Sequence, residues 1–211
     1  MLTLLLAAAA LPTAVDAEYA FARDARRLGQ WTAFRKYADP TAVMFDPQAV
    51  WAREFLKGRK DPPAAVKWSP AESYVSCDRR TAINVGPWTG AGGKSQGYFT
   101  TVWMRKGRSW TWVYDAGDEL KTPMPARARP VVRRASCAGG RAVRALAGRA
   151  VSAAQIAGKA PGDAGTGRSA DGTLTYQWKV NAKGARHFQA QIWIGRQYQT
   201  VLEQQTAAKA Q

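Results

Sequence analysis

Acidic residues are scarce in this chain: 15 Asp and Glu stand against 31 Lys and Arg over 211 residues, a formal charge of +16. Such a balance asks for an anionic partner or for a setting in which the charge is simply solvated. Histidine is scarcer still, His187 being the single one, and cysteine is limited to Cys77 and Cys137. With no CxxC, no His at metal-ligand spacing and no Ser or Cys in a recognisable nucleophile motif, a zinc site or a Ser-His-Asp triad would be hard to build. No metal and no cofactor is expected. A phosphate loop is also missing: "GPWTGAGGKSQG" ends in Gly-Lys-Ser, but Trp88 stands where the first glycine belongs, and no helical pattern follows. It reads as a hairpin loop. Long apolar runs are absent too; a spanning helix needs roughly 20 such residues, so no transmembrane span is expected.

The longest apolar run opens the chain. "MLTLLLAAAALPTAVDA" has the length of a signal-peptide core and ends in Val15-Asp16-Ala17, with small or apolar residues where a signal peptidase inspects. Cleavage after Ala17 and a periplasmic or secreted location are expected, although no Lys or Arg precedes the run; a buried N-terminal helix is the alternative. Two cysteines agree with export, and a Cys77–Cys137 disulfide closing a loop of about 60 residues is the natural reading, with two buried free thiols as the other.

What the chain has in quantity is aromatic surface: nine Trp, seven Tyr and six Phe in a composition 46% hydrophobic, which excludes a disordered chain. Phe21, Ala25, Leu28, Trp31, Phe34 and Ala38 share about half a helical wheel, so residues 18–38 read as one amphipathic helix, with Glu18 and Asp24 placed near its start to suit the dipole. Pro40 ends it. "TAVMFDP" reads as a short strand, and residues 48–58 as a second helix whose Val50, Trp51 and Phe55 share a side. From Val66 on, β-branched and aromatic residues alternate between turn signals, giving four antiparallel strands. The last two, in "YFTTVWMRKGRSWTWVYD", join through Lys-Gly-Arg and set Trp110, Trp112 and Tyr114 at alternate positions.

"WTAFRKYADPTAVMFDP" followed by "GYFTTVWMRKGRSWTWVYD" resembles the SnoaL-like members of the nuclear transport factor 2-like superfamily over residues 18–118. The resemblance implies an α+β, cone-shaped NTF2-like fold, in which a bent antiparallel sheet wraps around a long N-terminal helix and an apolar cavity opens at the wide end. Trp31, Phe34, Tyr37, Phe45, Phe55, Tyr98, Trp103 and Trp112 are then the expected ligand-pocket residues. The cyclase and isomerase branches place an aspartate in that cavity, where desolvation raises its pKa, beside a hydroxyl donor. Asp115 is the candidate, with Asp46 and Asp118 behind it and Tyr37, Tyr98 or Tyr114 as donors. The plainer reading has Asp46 and Asp118 capping turns and Asp115 paired with an arginine.

Within the stretch 121–170, residues 121–150 carry seven arginines, and no acid stands between Glu119 and Asp163. Three prolines make the start extended, and a short helix fits residues 140–157. A solvated Arg-rich strap, tied back by Cys137, competes with an anion-binding patch formed by Arg127, Arg129, Arg133 and Arg134. No base-stacking motif accompanies them, so nucleic acid is not expected. Residues 171–205 alternate as a β-meander, with His187 on its polar side. The expected organisation is therefore a signal peptide over 1–17, an NTF2-like domain over 18–120, the strap, and the meander as an extension. The expected function is an exported protein binding a small apolar or aromatic molecule, with a homodimer through the outer sheet face. A small isomerase, dehydratase or cyclase using one cavity Asp is the alternative.

Overall fold

The structure, a computed structural model, describes residues 10–139 and 161–208. Its first helix, α1 (Ala14–Leu28), starts on a capping box in which the Thr13 side chain accepts the Asp16 N–H and the Asp16 carboxylate accepts the Thr13 N–H. Gly29 then takes φ 109° and breaks the helix. A second helix, α2 (Gln30–Tyr37), restarts at once, its first turn held by the Asp61 carboxylate, which accepts from the Thr32 N–H at 2.9 Å and the Thr32 hydroxyl at 2.6 Å. Any side chain at position 29 would collide with that carboxylate. The single helix expected over 18–38 is thus two helices meeting at a glycine.

The chain continues into β1 (Ala38–Asp46), turns at Pro47 into β2 (Gln48–Trp51), and makes one helical turn, α3 (Ala52–Phe55). Val50 and Trp51 lie opposite Met44 and Val43 across the β1–β2 ladder, so the helix expected over 48–58 is half strand. β3 (Lys67–Trp68), β4 (Glu72–Val75), β5 (Thr81–Thr89), β6 (Gln96–Lys106), β7 (Ser109–Glu119) and β8 (Val131–Arg134) complete an eight-stranded sheet in the order β2-β1-β7-β6-β5-β4-β8, with β3 beside β5. β1 runs parallel to β7, and β8 parallel to β4. The sheet is mixed, where a wholly antiparallel one was expected.

β9 (Ala164–Arg168), β10 (Leu174–Val180), β11 (Arg186–Trp193) and β12 (Tyr198–Thr206) form a separate antiparallel sheet. Its apolar residues, among them Leu174, Trp178, Phe188 and Ile192, bury against Tyr74, Ile83, Val85, Val102 and Tyr114 on the outer face of the large sheet. Helices cover the other face through Phe21, Ala25, Phe34, Trp68, Trp103 and Trp112. Three layers result: helices, large sheet, small sheet.

This arrangement corrects the expected fold class. Twelve strands outweigh three short helices among the described residues, and no long N-terminal helix is present for a bent sheet to wrap. The outer sheet face, expected to carry a homodimer contact, is covered by the chain's own meander.

The signal-peptide and secretion readings also find no support. A cut after Ala17 would fall inside α1, removing its cap and the buried Ala14 and Ala17. It would also remove two carbonyls that bind the sheet: Pro12 O accepts from Trp110 Nε1 at 2.8 Å, and Ala14 O from Asn84 Nδ2 at 2.9 Å. No described helix is long and apolar enough to cross a membrane. The Cys77–Cys137 pair is disulfide-bonded with Cα atoms 5.2 Å apart. The strap's first part becomes β8, with Arg127, Arg129, Arg133 and Arg134 exposed; the helix expected at 140–157 lies outside the described residues.

Candidate functional site

Between the helices and the inner face of the large sheet lies a cavity of about 560 Å³. Its position follows from one irregularity. In the β6–β7 ladder Val102 pairs with Tyr114 while the next residue, Trp103, pairs with Trp112, so Val113 is an extra residue, a β-bulge. Trp110 and Trp112 therefore face the helices, whereas Tyr114 turns to the outer face and packs against Phe45 and Phe188 with ring centroids 5.5 and 4.8 Å away. Asp115 then returns to the inner face. Without the bulge, strict alternation would send it outward.

Asp115 lines the cavity, and its Oδ2 accepts the Thr101 hydroxyl at 2.7 Å. Burial pushes its pKa up to about 7 against the effect of that bond, and the nearby Glu18 adds to the rise. No arginine pairs with it among the described residues. Glu18 is fully buried behind the cavity wall. Its Oε1 accepts Trp68 Nε1 at 2.9 Å, and its Oε2 accepts Trp103 Nε1 at 2.6 Å and Asn84 Nδ2 at 3.2 Å. Burial nevertheless outweighs the three donors and raises its pKa to about 7. The two acids thus hold protons near neutrality in an enclosed site, where an ordinary carboxylate would have lost them.

Of the expected pocket residues, Trp31, Phe34, Phe45 and Asp115 line the cavity. The other five do other work. Trp103 and Trp112 are wholly buried in the core. Tyr37 donates to Asp24 at 3.0 Å, with its pKa pushed up to about 12 by burial and then by that bond. Phe55 lies beneath the Arg59 guanidinium, 4.0 Å from ring centroid to Cζ. Tyr98 shares a hydrogen bond of 2.9 Å with Thr206 and lines a separate hollow of about 290 Å³ near Leu202. Asp46 sits at the cavity mouth, 3.6 Å from Arg59, and Asp118 is on the lining.

Sequence reading missed Trp68, Trp88 and Phe99 on the wall and the Lys183–Arg186 turn at the mouth. It gave Glu18 and Asp24 only a dipole role near the helix start, whereas both are buried. A signal was there for Glu18, an acid flanked at helical spacing by Ala14, Ala17, Phe21 and Ala25. His187 meets Glu203 at 3.1 Å on the small sheet, away from the cavity. Among the described residues no three His, Cys, Asp or Glu are placed to hold a metal.

No family model and no curated protein matches the chain. Among solved structures it is similar to the CaMKII hub homology domain of Chlamydomonas reinhardtii, with 19% identity and a TM-score of 0.39 over 52% of this chain and 100% of that one. It is also similar to a protein of Exiguobacterium sibiricum described as a Ca/calmodulin-dependent kinase II association domain, with 14% identity and a TM-score of 0.37 over 54% and 99%. The expected SnoaL-like, NTF2-like resemblance is corrected: no family model supports it, and these two neighbours are described as hub and association domains. The binder of an apolar or aromatic molecule, and the isomerase, dehydratase or cyclase beside it, drew on that resemblance and fall with it. At such TM-scores neither neighbour carries an inference about what this chain binds or assembles with.

Proposed function

We propose that the chain is a self-associating module that forms a homodimer by strand addition at β8. The observation that supports this is the state of that edge. All four β8 residues are exposed, and Val132, at 58%, is the most exposed of the large apolar side chains described. The Val131 N–H binds Ala71 O at 2.9 Å, and the Ala135 N–H binds Val75 O at 2.8 Å. Residues 131, 133 and 135 therefore spend their backbone groups on β4, and Val132 and Arg134 aim theirs outward. Among the described residues no strand pairs with this outward row of N–H and C=O groups, which is a template for another strand.

A second copy fits it in one register. Antiparallel pairing about a two-fold axis at Val132 sets Val132 against its own copy and each Val131 against the other chain's Arg133, so no two arginines stand directly opposite. The Val132 N–H and C=O groups then satisfy one another across the axis, and each Arg134 N–H reaches the other Pro130 carbonyl. Repulsion between two chains of +16 opposes the contact and is screened by salt.

Sedimentation velocity over a concentration series tests this. The expected result is a shift toward twice the monomer mass that strengthens from low to moderate salt. Val132→Pro, which deletes an outward N–H and no intramolecular bond, and Val132→Lys, which opposes like charges on the axis, should both stay monomeric with an unchanged melting temperature. A wild type that is monomeric throughout, or variants that dimerise as well as it does, would overturn the proposal. Association that appears only with an added acidic polymer and weakens with salt would assign the edge to its arginines instead.

A further inference from the structure

We propose that the cavity between the helices and the large sheet binds an organic cation, an ammonium, amidinium or guanidinium group carried on a compact flat body. The first reason is the sign of its charge. The lining has four carboxyl groups, Asp46, Asp115, Asp118 and Glu119, and two bases, Lys183 and Arg186, in a molecule whose bases outnumber acids 31 to 15. Arg186 is already engaged, donating to Gly117 O at 2.7 Å and lying over the Phe45 ring at 5.0 Å. Neither Asp118 nor Glu119 has an ion pair with a described residue, and the pair from Asp46 to Arg59 is loose at 3.6 Å. Negative charge is therefore concentrated and only partly answered at one concave place on a basic protein.

The second reason is the wall and the floor. Trp31, Phe34, Trp68, Trp88 and Phe99 turn aromatic surface toward the cavity. Ring faces attract cations, and a flat body stacks or wedges between them. On the floor, Asp115 is half-buried; its Oδ2 takes the Thr101 hydroxyl, and its Oδ1 accepts no hydrogen bond from the described residues and is left to the cavity. A carboxylate oxygen that opens only onto a largely apolar cavity is a group that a charged donor would satisfy. About 560 Å³ is room for a ring with a short side chain. An uncharged apolar guest would leave that oxygen and the mouth acids unanswered. This inference does not depend on the dimer.

The site should be sensitive to pH. Asp115 has Thr101 from β6 and Glu18 from α1 beside it, and it shares the cavity lining with Asp46 from β1, Asp118 and Glu119 along its own strand, and Lys183 and Arg186 at the mouth. Its proton leaves only near pH 7, because burial penalises the charge, so a cation gains its partner as pH rises.

Calorimetry of the full chain with benzamidine and its neutral analogue benzamide decides the matter. Benzamidine should bind at pH 8, with benzamide at least about tenfold weaker. Benzamidine affinity should fall up to about tenfold per unit as pH drops below 7. Asp115→Asn, checked for folding by its melting curve, should lose at least about tenfold in affinity and flatten the pH profile. Should that variant not fold, Asp118→Asn with Glu119→Gln should weaken benzamidine and leave benzamide unaffected. Equal binding of the two probes, binding of neither, or an Asp115→Asn variant that binds as well as wild type would each overturn the assignment.

Discussion

Glu18 shows how a single residue shapes the response of this protein to pH. Its folded pKa of about 7 stands above the ordinary 4.5, so between these values the native state keeps a proton that the unfolded chain has lost. Its contribution is complete below pH 4.5, declines as pH rises toward 7, and levels off above that. Asp115 acts with the same sign. Asp24, Asp39, Asp61 and Asp171 have lowered values and act in the opposite sense, but below about pH 4. Wild-type melting temperature should therefore fall between pH 4.5 and 7, and Glu18→Gln should flatten part of that fall; a variant as steep as wild type would remove Glu18 from the explanation. Glu18→Ala is a harsher change. It leaves Trp68 Nε1 and Trp103 Nε1 buried without an acceptor, at a cost of roughly 2–6 kcal/mol for the two. Denaturant unfolding of the variant measures it.

Among the elements, α1 shows how far the N-terminal segment belongs to the folded domain. Thr13 caps it, Pro12 and Ala14 offer carbonyls to Trp110 and Asn84, and Ala14 and Ala17 are buried. A chain starting at Glu18 should lose a cap worth about 1 kcal/mol, two hydrogen bonds and the packing of both alanines. Its melting temperature should fall well below that of a chain starting at Ala10, as thermal unfolding of the two would show. Equal melting would mean that the first turn of α1 contributes nothing. β7 illustrates the other kind of element, one whose register matters more than its existence. Trp110, Trp112, Tyr114 and Ala116 look like one face of a regular strand, and only the bulge at Val113 divides them and brings Asp115 inside.

For the whole molecule, the disulfide and the turn beside it hold the two sheets together. Cys77 bonds Cys137, the Cys77 N–H binds the Thr173 hydroxyl at 2.8 Å, the Asp78 N–H binds the Asp171 carboxylate at 2.7 Å, and Ser136 N–H binds Trp193 O at 2.7 Å. Cys137→Ser opens a loop with a separation of 60 residues, which the chain-entropy model sets at about 4 kcal/mol. Hydrogen exchange in that variant should quicken first at residues 75–78, 135–138 and 171–174 and leave α1 protected. Faster exchange in α1 with the junction unchanged would place the constraint elsewhere.

Local chemistry decided much of this in advance. Period-2 alternation of β-branched and aromatic residues specifies β5, β6, β7, β10 and β11, and the Gly107 turn specifies the β6–β7 hairpin, because these signals act within a few residues and side-chain direction follows from backbone period. The two cysteines and the excess of basic charge were legible for the same reason. Other features depend on residues far apart in the chain. Gly29 becomes a helix break because Asp61 caps the helix beyond it, and Glu18 is buried because Trp68, Asn84 and Trp103 converge on it. Asp115 turns inward because β6 and β7 pair out of step by one residue, and the meander lies on the outer sheet face because both surfaces there are apolar. Periodicity records which face of an element is apolar, but only the tertiary fold determines what that face meets. The cavity acids and the free edge of β8 belong to that second kind of information.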